Sequence, residues 1–249
     1  MYSKEEIIDK LKIFESNEFV FDPVPHKYTY KGNEFISATT FIQRFSETFD
    51  SEYWANYKAD QQGVPVEWVK AQWKELNDYA NELGTDLHDW IEYYFTKRWR
   101  ALPTNPDTIH RIKKFLDIYA LKLHELEPVA FEVRIFSEKW RIAGMIDALF
   151  LIRGNLFILD WKTNKKFETD ETMKYPSKLL FPFQDYLANH HNEYSLQLNL
   201  YALILKQYGI KASGAYLVHI GPDDDPAKIY KVKNLQSTLE EYLNKERVF

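Results

Sequence analysis

The stretch Arg141-Ile142-Ala143-Gly144-Met145-Ile146-Asp147-Ala148-Leu149-Phe150-Leu151-Ile152-Arg153-Gly154-Asn155-Leu156-Phe157-Ile158-Leu159-Asp160-Trp161-Lys162 decides the fold. Two apolar runs flank the tight turn Arg153-Gly154-Asn155, a pattern that reads as a hairpin of two buried strands. Asp147 closes Gly144-Met145-Ile146, and Asp160 closes Ile158-Leu159. A carboxylate in such a strand needs a partner that offsets its desolvation. The turn folds the second run back on the first, so the two aspartates fall across from one another on paired strands. Lys162, two residues after Asp160, points to the same face in an extended chain. The main-chain carbonyl of Trp161 lies between them.

Two carboxylates, a carbonyl and an ammonium suit a hard divalent cation, Mg²⁺ or Mn²⁺. Such an ion lowers the pKa of bound water and neutralises charge growing on phosphorus oxygens. Lys162 then orients that water or stabilises the transition state. Asp160-x-Lys162 by itself equally describes an ordinary ion pair at a sheet edge. The apolar strands, Gly144 and the thirteen-residue step from Asp147 to Asp160 favour a site for phosphodiester hydrolysis.

Outward from the hairpin, Val129 to Phe136 alternates as a further strand. Residues 164–191 read as a long loop or irregular insert containing Pro176 and Pro182. A helix spans Tyr194 to Tyr208 and closes at Gly209. Ala215 to Ile220 and Lys228 to Val232 read as strands around a Gly221-Pro222-Asp223-Asp224-Asp225-Pro226 turn, and the tail as an amphipathic helix. Upstream, Lys31-Gly32-Asn33 turns a short hairpin. Asp50 to Trp99 is mostly helical, with breaks expected near Gly63-Val64-Pro65 and near Gly84, and a further helix runs from about Pro106 to Leu126. The fold class is therefore α/β (α+β), a mixed sheet flanked by helices behind a helical N-terminal region. One domain is expected over residues 1–249: hairpin and helices over 1–83, the core over 84–220, and a strand and helix over 221–249.

Composition excludes several classes of protein. There is no cysteine, which removes disulfides, thiolate zinc sites, iron–sulfur clusters and cysteine nucleophiles. A net charge of -5 disfavours a non-specific nucleic-acid coat but is compatible with a carboxylate-rich site beside a local basic strip. With no signal-like apolar start and no run of membrane-spanning length, the chain reads as soluble and intracellular, with no membrane partner.

Gly144-x-x-Asp147 followed by Asp160-x-Lys162 resembles the PD-(D/E)XK nuclease superfamily, and specifically its RecB-like exonuclease branch without an iron–sulfur cluster. Gly84-Thr85-Asp86-Leu87-His88-Asp89-Trp90-Ile91-Glu92 resembles that branch's upstream G-x-x-x-H-x-x-I-E motif. Gln197-Leu198-Asn199-Leu200-Tyr201 resembles its downstream Q-x-x-x-Y motif. The resemblance spans roughly residues 84–201 and implies a restriction-endonuclease-like core. It also implies Mg²⁺ or Mn²⁺ as cofactor, with His88, Asp147, Asp160 and the Trp161 carbonyl as ligands and Lys162 as the catalytic lysine. Gln197 and Tyr201 would border the site, contacting substrate or holding the lysine. Ile146 replaces the motif's proline. Asp160 replaces the common glutamate and is shorter by one methylene.

Glu92, one helical turn beyond His88, and Glu132 are candidate additional acids. Glu132 alternates with Phe131 and Val133, which favours the solvent face of its strand over the metal. His190-His191 reads as a loop pair. Arg98, Arg100, Lys113, Lys114, Lys165 and Lys166 form basic strips interleaved with aromatic residues, a combination suited to phosphates and stacked bases of single-stranded or frayed DNA; a solvated helix face is the plainer account of such a run.

The expected activity is that of a metal-dependent DNA exonuclease in recombination, repair or replication. The alternatives are a single-strand or structure-selective endonuclease and a catalytically silent DNA-binding module. No P-loop is present, so ATP-driven unwinding would have to come from a helicase or annealing partner.

Overall fold

In the computed structural model, residues 1–23, 27–97 and 102–245 are described. The quoted hairpin is β5 (Ile142–Ile152) and β6 (Asn155–Lys162). Arg153 at φ 49° and Gly154 at φ 74° make the left-handed turn that suits a two-residue hairpin. Around it run α1 (Lys4–Leu11), β1 (Phe19–Asp22), β2 (Lys27–Tyr30), β3 (Asn33–Ser37), α2 (Ala38–Ile42), α3 (Ser51–Gln62), α4 (Val66–Thr96), α5 (Pro106–Ile118) and β4 (Glu127–Ser137). After the hairpin come α6 (His190–Gln207), β7 (Ala212–His219), β8 (Lys228–Lys231) and α7 (Gln236–Lys245).

All the strands join one mixed sheet in the order β1-β2-β3-β5-β6-β7-β8, with β4 also on β5. β4 runs antiparallel along β5 from Glu127↔Leu151 to Ser137↔Ile142 and so occupies one edge of β5 throughout. The other edge is shared. β3 pairs in parallel with its start through Ile36↔Ile142 and Ser37↔Ala143. β6 pairs antiparallel with its end, from Ala148↔Leu159 to Ile152↔Asn155. The sheet therefore forks between these partners, and Gly144 to Asp147 line the fork.

Gly144 belongs there for a steric reason. A Cβ at that position would lie 2.6 Å from Tyr201 Cε1 and 3.2 Å from Ala38 Cβ, so only glycine lets α6 and α2 close over the fork.

Helices cover both faces. Leu156 and Ile158 pack into a core with Leu196, Leu200 and Leu203 of α6, whereas Leu159 and Trp161 pack with Leu87, Ile91 and Phe115 of α4 and α5. The period of two along β6 thus feeds alternate side chains to opposite layers. α3 and the first half of α4 form a hairpin around a small cluster of Ala55, Ala59 and Val69.

Two expectations change here. α4 runs unbroken through Gly84. A Cβ at Gly84 would stand 3.3 Å from Thr163 Oγ1, so the glycine allows close passage of the helix over the end of β6 without interrupting it. His190 and His191 open α6 instead of forming a loop pair.

Candidate active site

The register Ala148↔Leu159, carried one step further, sets Asp147 opposite Asp160 at the fork. Asp147 is 8% exposed and Asp160 2%. The N–H of Trp161 donates to Asp147 Oδ2 at 2.8 Å, so a side chain supplies the acceptor where the backbone ladder has ended. Lys162 Nζ lies 2.7 Å from Asp160 Oδ2 and 4.3 Å from the centre of the Tyr194 ring on α6. The Asp160 oxygen and the ammonium approach as an ion pair without hydrogen-bond alignment, so this buried oxygen keeps acceptor capacity to spare.

From the opposite layer, α4 delivers His88. Its Nε2 is 3.0 Å from the Trp161 carbonyl oxygen, and its Nδ1 is 3.5 Å from Asp147 Oδ2 and 3.7 Å from Glu132 Oε1. His88, Glu132 and Asp147 each offer a ligand atom within 4.8 Å of the other two.

Glu132 therefore corrects the sequence reading, which favoured the solvent face. Its neighbours pair as Phe131↔Ala148 and Val133↔Ile146, which frames Glu132 against Asp147. Its φ of 49° is left-handed, although it sits inside a strand. That conformation costs a non-glycine residue of order 1 kcal/mol and breaks the alternation on which the solvent-face expectation rested. The compact acid–imidazole group is thus His88, Glu132 and Asp147, with Asp160 set beside it and engaged by Lys162.

The electrostatics suit a divalent cation. Burial works against a charged His88, but Asp147 and Glu132 outweigh it and leave the imidazole raised to about 9. Burial, followed by the neighbouring Asp147, raises Asp160 to about 6 despite Lys162. Burial likewise raises Asp147. Burial opposes the Lys162 ammonium, yet Asp160 and Asp147 lift it above its ordinary value. Asp147 and Asp160 are both raised because burial and their mutual proximity leave their charge under-compensated, and a divalent cation is the compensation this donor set suits.

The remaining candidates divide. Gln197 Nε2 donates to Tyr201 Oη at 2.8 Å, and Tyr201 is buried against Gly144. The ring that meets Lys162 is that of Tyr194. Sequence reasoning passed over Tyr194, although its spacing of three from Gln197 and seven from Tyr201 places all three on one helical face. Glu92 is half-buried and lines a groove with Glu132 and Arg134, outside the compact group.

Lys114 is not a surface phosphate contact. It is buried and donates to the Gly221 carbonyl at 2.7 Å, to the Asp223 carbonyl at 2.9 Å and to Asp223 Oδ1 at 3.2 Å. Arg111 is buried as well, donating to the Asp107 carbonyl. The rings of Tyr94 and Phe95 pack with Phe115 and Tyr119. Lys113, Lys165 and Lys166 are exposed, and Arg98 and Arg100 lie outside the described residues. No described helix is long and apolar enough to cross a membrane.

Comparison with known proteins adds one informative match. The sequence model of the PD-(D/E)XK nuclease superfamily fits residues 58–247. No match is found among curated proteins. Among solved structures the chain is similar to "Crystal structure of SSO0001", at 13% identity, with a TM-score of 0.31, covering 96% of this chain and 82% of that one. So loose a superposition bears on neither fold nor site.

Proposed function

Since this chain belongs to the PD-(D/E)XK nuclease superfamily, a family of metal-dependent nucleases, we propose that it is a Mg²⁺- or Mn²⁺-dependent DNA exonuclease of the RecB-like branch, acting in recombination, repair or replication. The observation that carries the proposal is the convergence of His88 and Glu132 with Asp147, next to the Asp160–Lys162 pair. His88, Asp147, Asp160 and the Trp161 carbonyl would hold the cation, with Glu132 as a further acid. When bound, the cation supplies Lewis-acid stabilisation of phosphoryl oxygens and an acidified water.

The chain's own groups have separable tasks. Trp161 N–H fixes one Asp147 oxygen. Asp160 and the Tyr194 ring hold the Lys162 ammonium beside the carboxylates, where it meets negative charge growing on the scissile phosphate. The cluster of Leu87, Ile91 and Phe115 under His88 keeps the helix in place and excludes water from that side.

The end-directed reading draws on the three motifs around Gly84–Glu92, Asp147–Lys162 and Gln197–Tyr201. The test is digestion of 5′- and 3′-labelled linear DNA, alongside circular single-stranded DNA, with Mg²⁺ or Mn²⁺. An exonuclease shortens the linear strands from one end and leaves the circle intact. Equal cleavage by wild type and Lys162→Ala would refute the assignment.

A further inference from the structure

Just past Lys162 the chain builds a second feature. A cleft of about 290 Å³ opens at the end of β6, lined by Lys165, Lys166, Lys174 and Lys228 around the rings of Phe167 and Tyr230. Phe167 stacks on Tyr230 with centroids 4.4 Å apart and an interplanar angle of 20°. Among the described residues, Lys165, Lys166 and Lys174 form no ion pair, whereas Lys228 pairs with Asp225 at 3.4 Å and Lys114 with Asp223. Asp223 and Asp225 on the rim are thus matched, Glu168 faces His190 Nδ1 at 3.9 Å, and with five lysines against three acids the balance of charge is positive.

The segment that carries Lys165 and Lys166 is held at both ends. His219 Nε2 lies 2.7 Å from the Asn164 carbonyl oxygen, and the Glu168 N–H donates to His190 Nδ1 at 3.1 Å. The cleft also connects to the active site through rings. Tyr194, which meets Lys162, lies 6.1 Å from Phe167 between centroids. One ring step therefore separates the lysine at the scissile position from the stacked Phe167–Tyr230 pair, a separation on the scale of neighbouring nucleotides.

We propose that this cleft is a strand subsite: it holds the nucleotide flanking the scissile phosphate, with the base against the Phe167–Tyr230 rings and its phosphate on Lys165, Lys166 and Lys174. Lysines for the backbone and rings for the bases are how proteins hold single strands without reading sequence. The role assigned to the cleft rests on the nuclease reading above, but its occupancy by a nucleic-acid strand does not.

Two measurements separate the proposals. In EDTA, fluorescence anisotropy with a labelled single-stranded oligonucleotide reports binding without cleavage. Lys165→Ala/Lys166→Ala should weaken binding about tenfold and lower the slope of log K against log salt by about one or more. Tyr230→Leu should weaken it about tenfold through lost stacking. In Mn²⁺, the lysine variant should raise KM on DNA about tenfold at little-changed kcat, while hydrolysis of bis(p-nitrophenyl) phosphate, which has no flanking nucleotide, stays at the wild-type rate. Lys165 and Lys166 are exposed, so folding is expected to be retained, and circular dichroism checks it.

Unchanged oligonucleotide affinity and salt slope in the lysine variant would overturn the subsite. So would binding of dAMP or inorganic phosphate as tight as that of the oligonucleotide and equally dependent on the lysines, since the cleft would then serve a free anion. A wild-type protein that hydrolyses neither substrate would refute the nuclease reading alone, leaving the subsite to the anisotropy result.

Discussion

Asp147 Oδ2 accepts the Trp161 N–H at 2.8 Å while the same oxygen faces His88 Nδ1 at 3.5 Å. One carboxylate therefore completes the hydrogen bonding of β6 where the sheet forks and also anchors the proposed metal-ligating group. Asp147→Asn separates the two tasks. An amide oxygen can still accept from Trp161, so the fold should survive, but the charge is gone. Metal-dependent cleavage should fall by at least ~10²-fold, the scale of losing one electrostatic stabiliser. Activity within threefold of wild type, with an unchanged circular dichroism spectrum, would remove Asp147 from the site.

Lys162 and Asp160 should behave as a unit. Their side chains are 17% and 2% exposed, so Lys162→Ala leaves a buried carboxylate without its cation. Breaking such a pair costs about 3–5 kcal/mol. The double variant Asp160→Asn/Lys162→Ala should recover much of that stability in urea denaturation and none of the activity. Additive losses in the double variant would mean the two groups are not coupled in the fold.

Strain at Glu132 gives opposite signs for stability and metal binding. Glu132→Gly removes the left-handed penalty at φ 49° and should stabilise the protein by up to ~1 kcal/mol, net of the flexibility that glycine adds to the unfolded chain. Removing a group next to His88 should weaken Mn²⁺ binding about 10–100-fold by calorimetry. If calorimetry returns the wild-type affinity, Glu132 has no part in holding the ion.

The fork itself can be tested through Gly144. The Cβ of Gly144→Ala meets Tyr201 Cε1 at 2.6 Å, an overpacking expected to cost about 1–3 kcal/mol. Tyr201→Ala removes the obstructing ring at its own cavity cost, so the two losses should be markedly sub-additive in a double-mutant cycle. Strict additivity would show that the clash is relieved elsewhere.

Acid sensitivity should arise partly outside the site. The Lys233 ammonium, then the Asn189 and Asn192 amides, outweigh burial and hold Asp170 at about 2. A depressed folded pKa contributes stability that is fully present above the unfolded value of about 3.9 and is lost as pH falls toward about 2. Asp170→Asn should therefore be less stable than wild type at pH 6, with the gap narrowing below about pH 4 and closing near pH 2 in guanidinium titrations. The effect is small because the carboxylate is half exposed. A gap that widens on acidification would contradict the sign.

The sequence by itself determined the β5–β6 hairpin, the opposition of Asp147 and Asp160, and the order of helix and strand around them. Those features follow from apolar periodicity and a left-handed turn, signals that act over a few residues. Only the tertiary structure decided the rest. Glu132 joined the acids because one left-handed residue inverted a period of two. Lys114, read as part of a basic strip, was drawn inward by carbonyls more than a hundred residues away at Gly221 and Asp223. Gly84 turned from a helix break into a close contact with Thr163, and Tyr194 became the ring against Lys162. The fork depends on β3 pairing with β5 across more than a hundred residues. Local chemistry can favour a strand, but which edge it finds depends on how distant segments bury their apolar faces together.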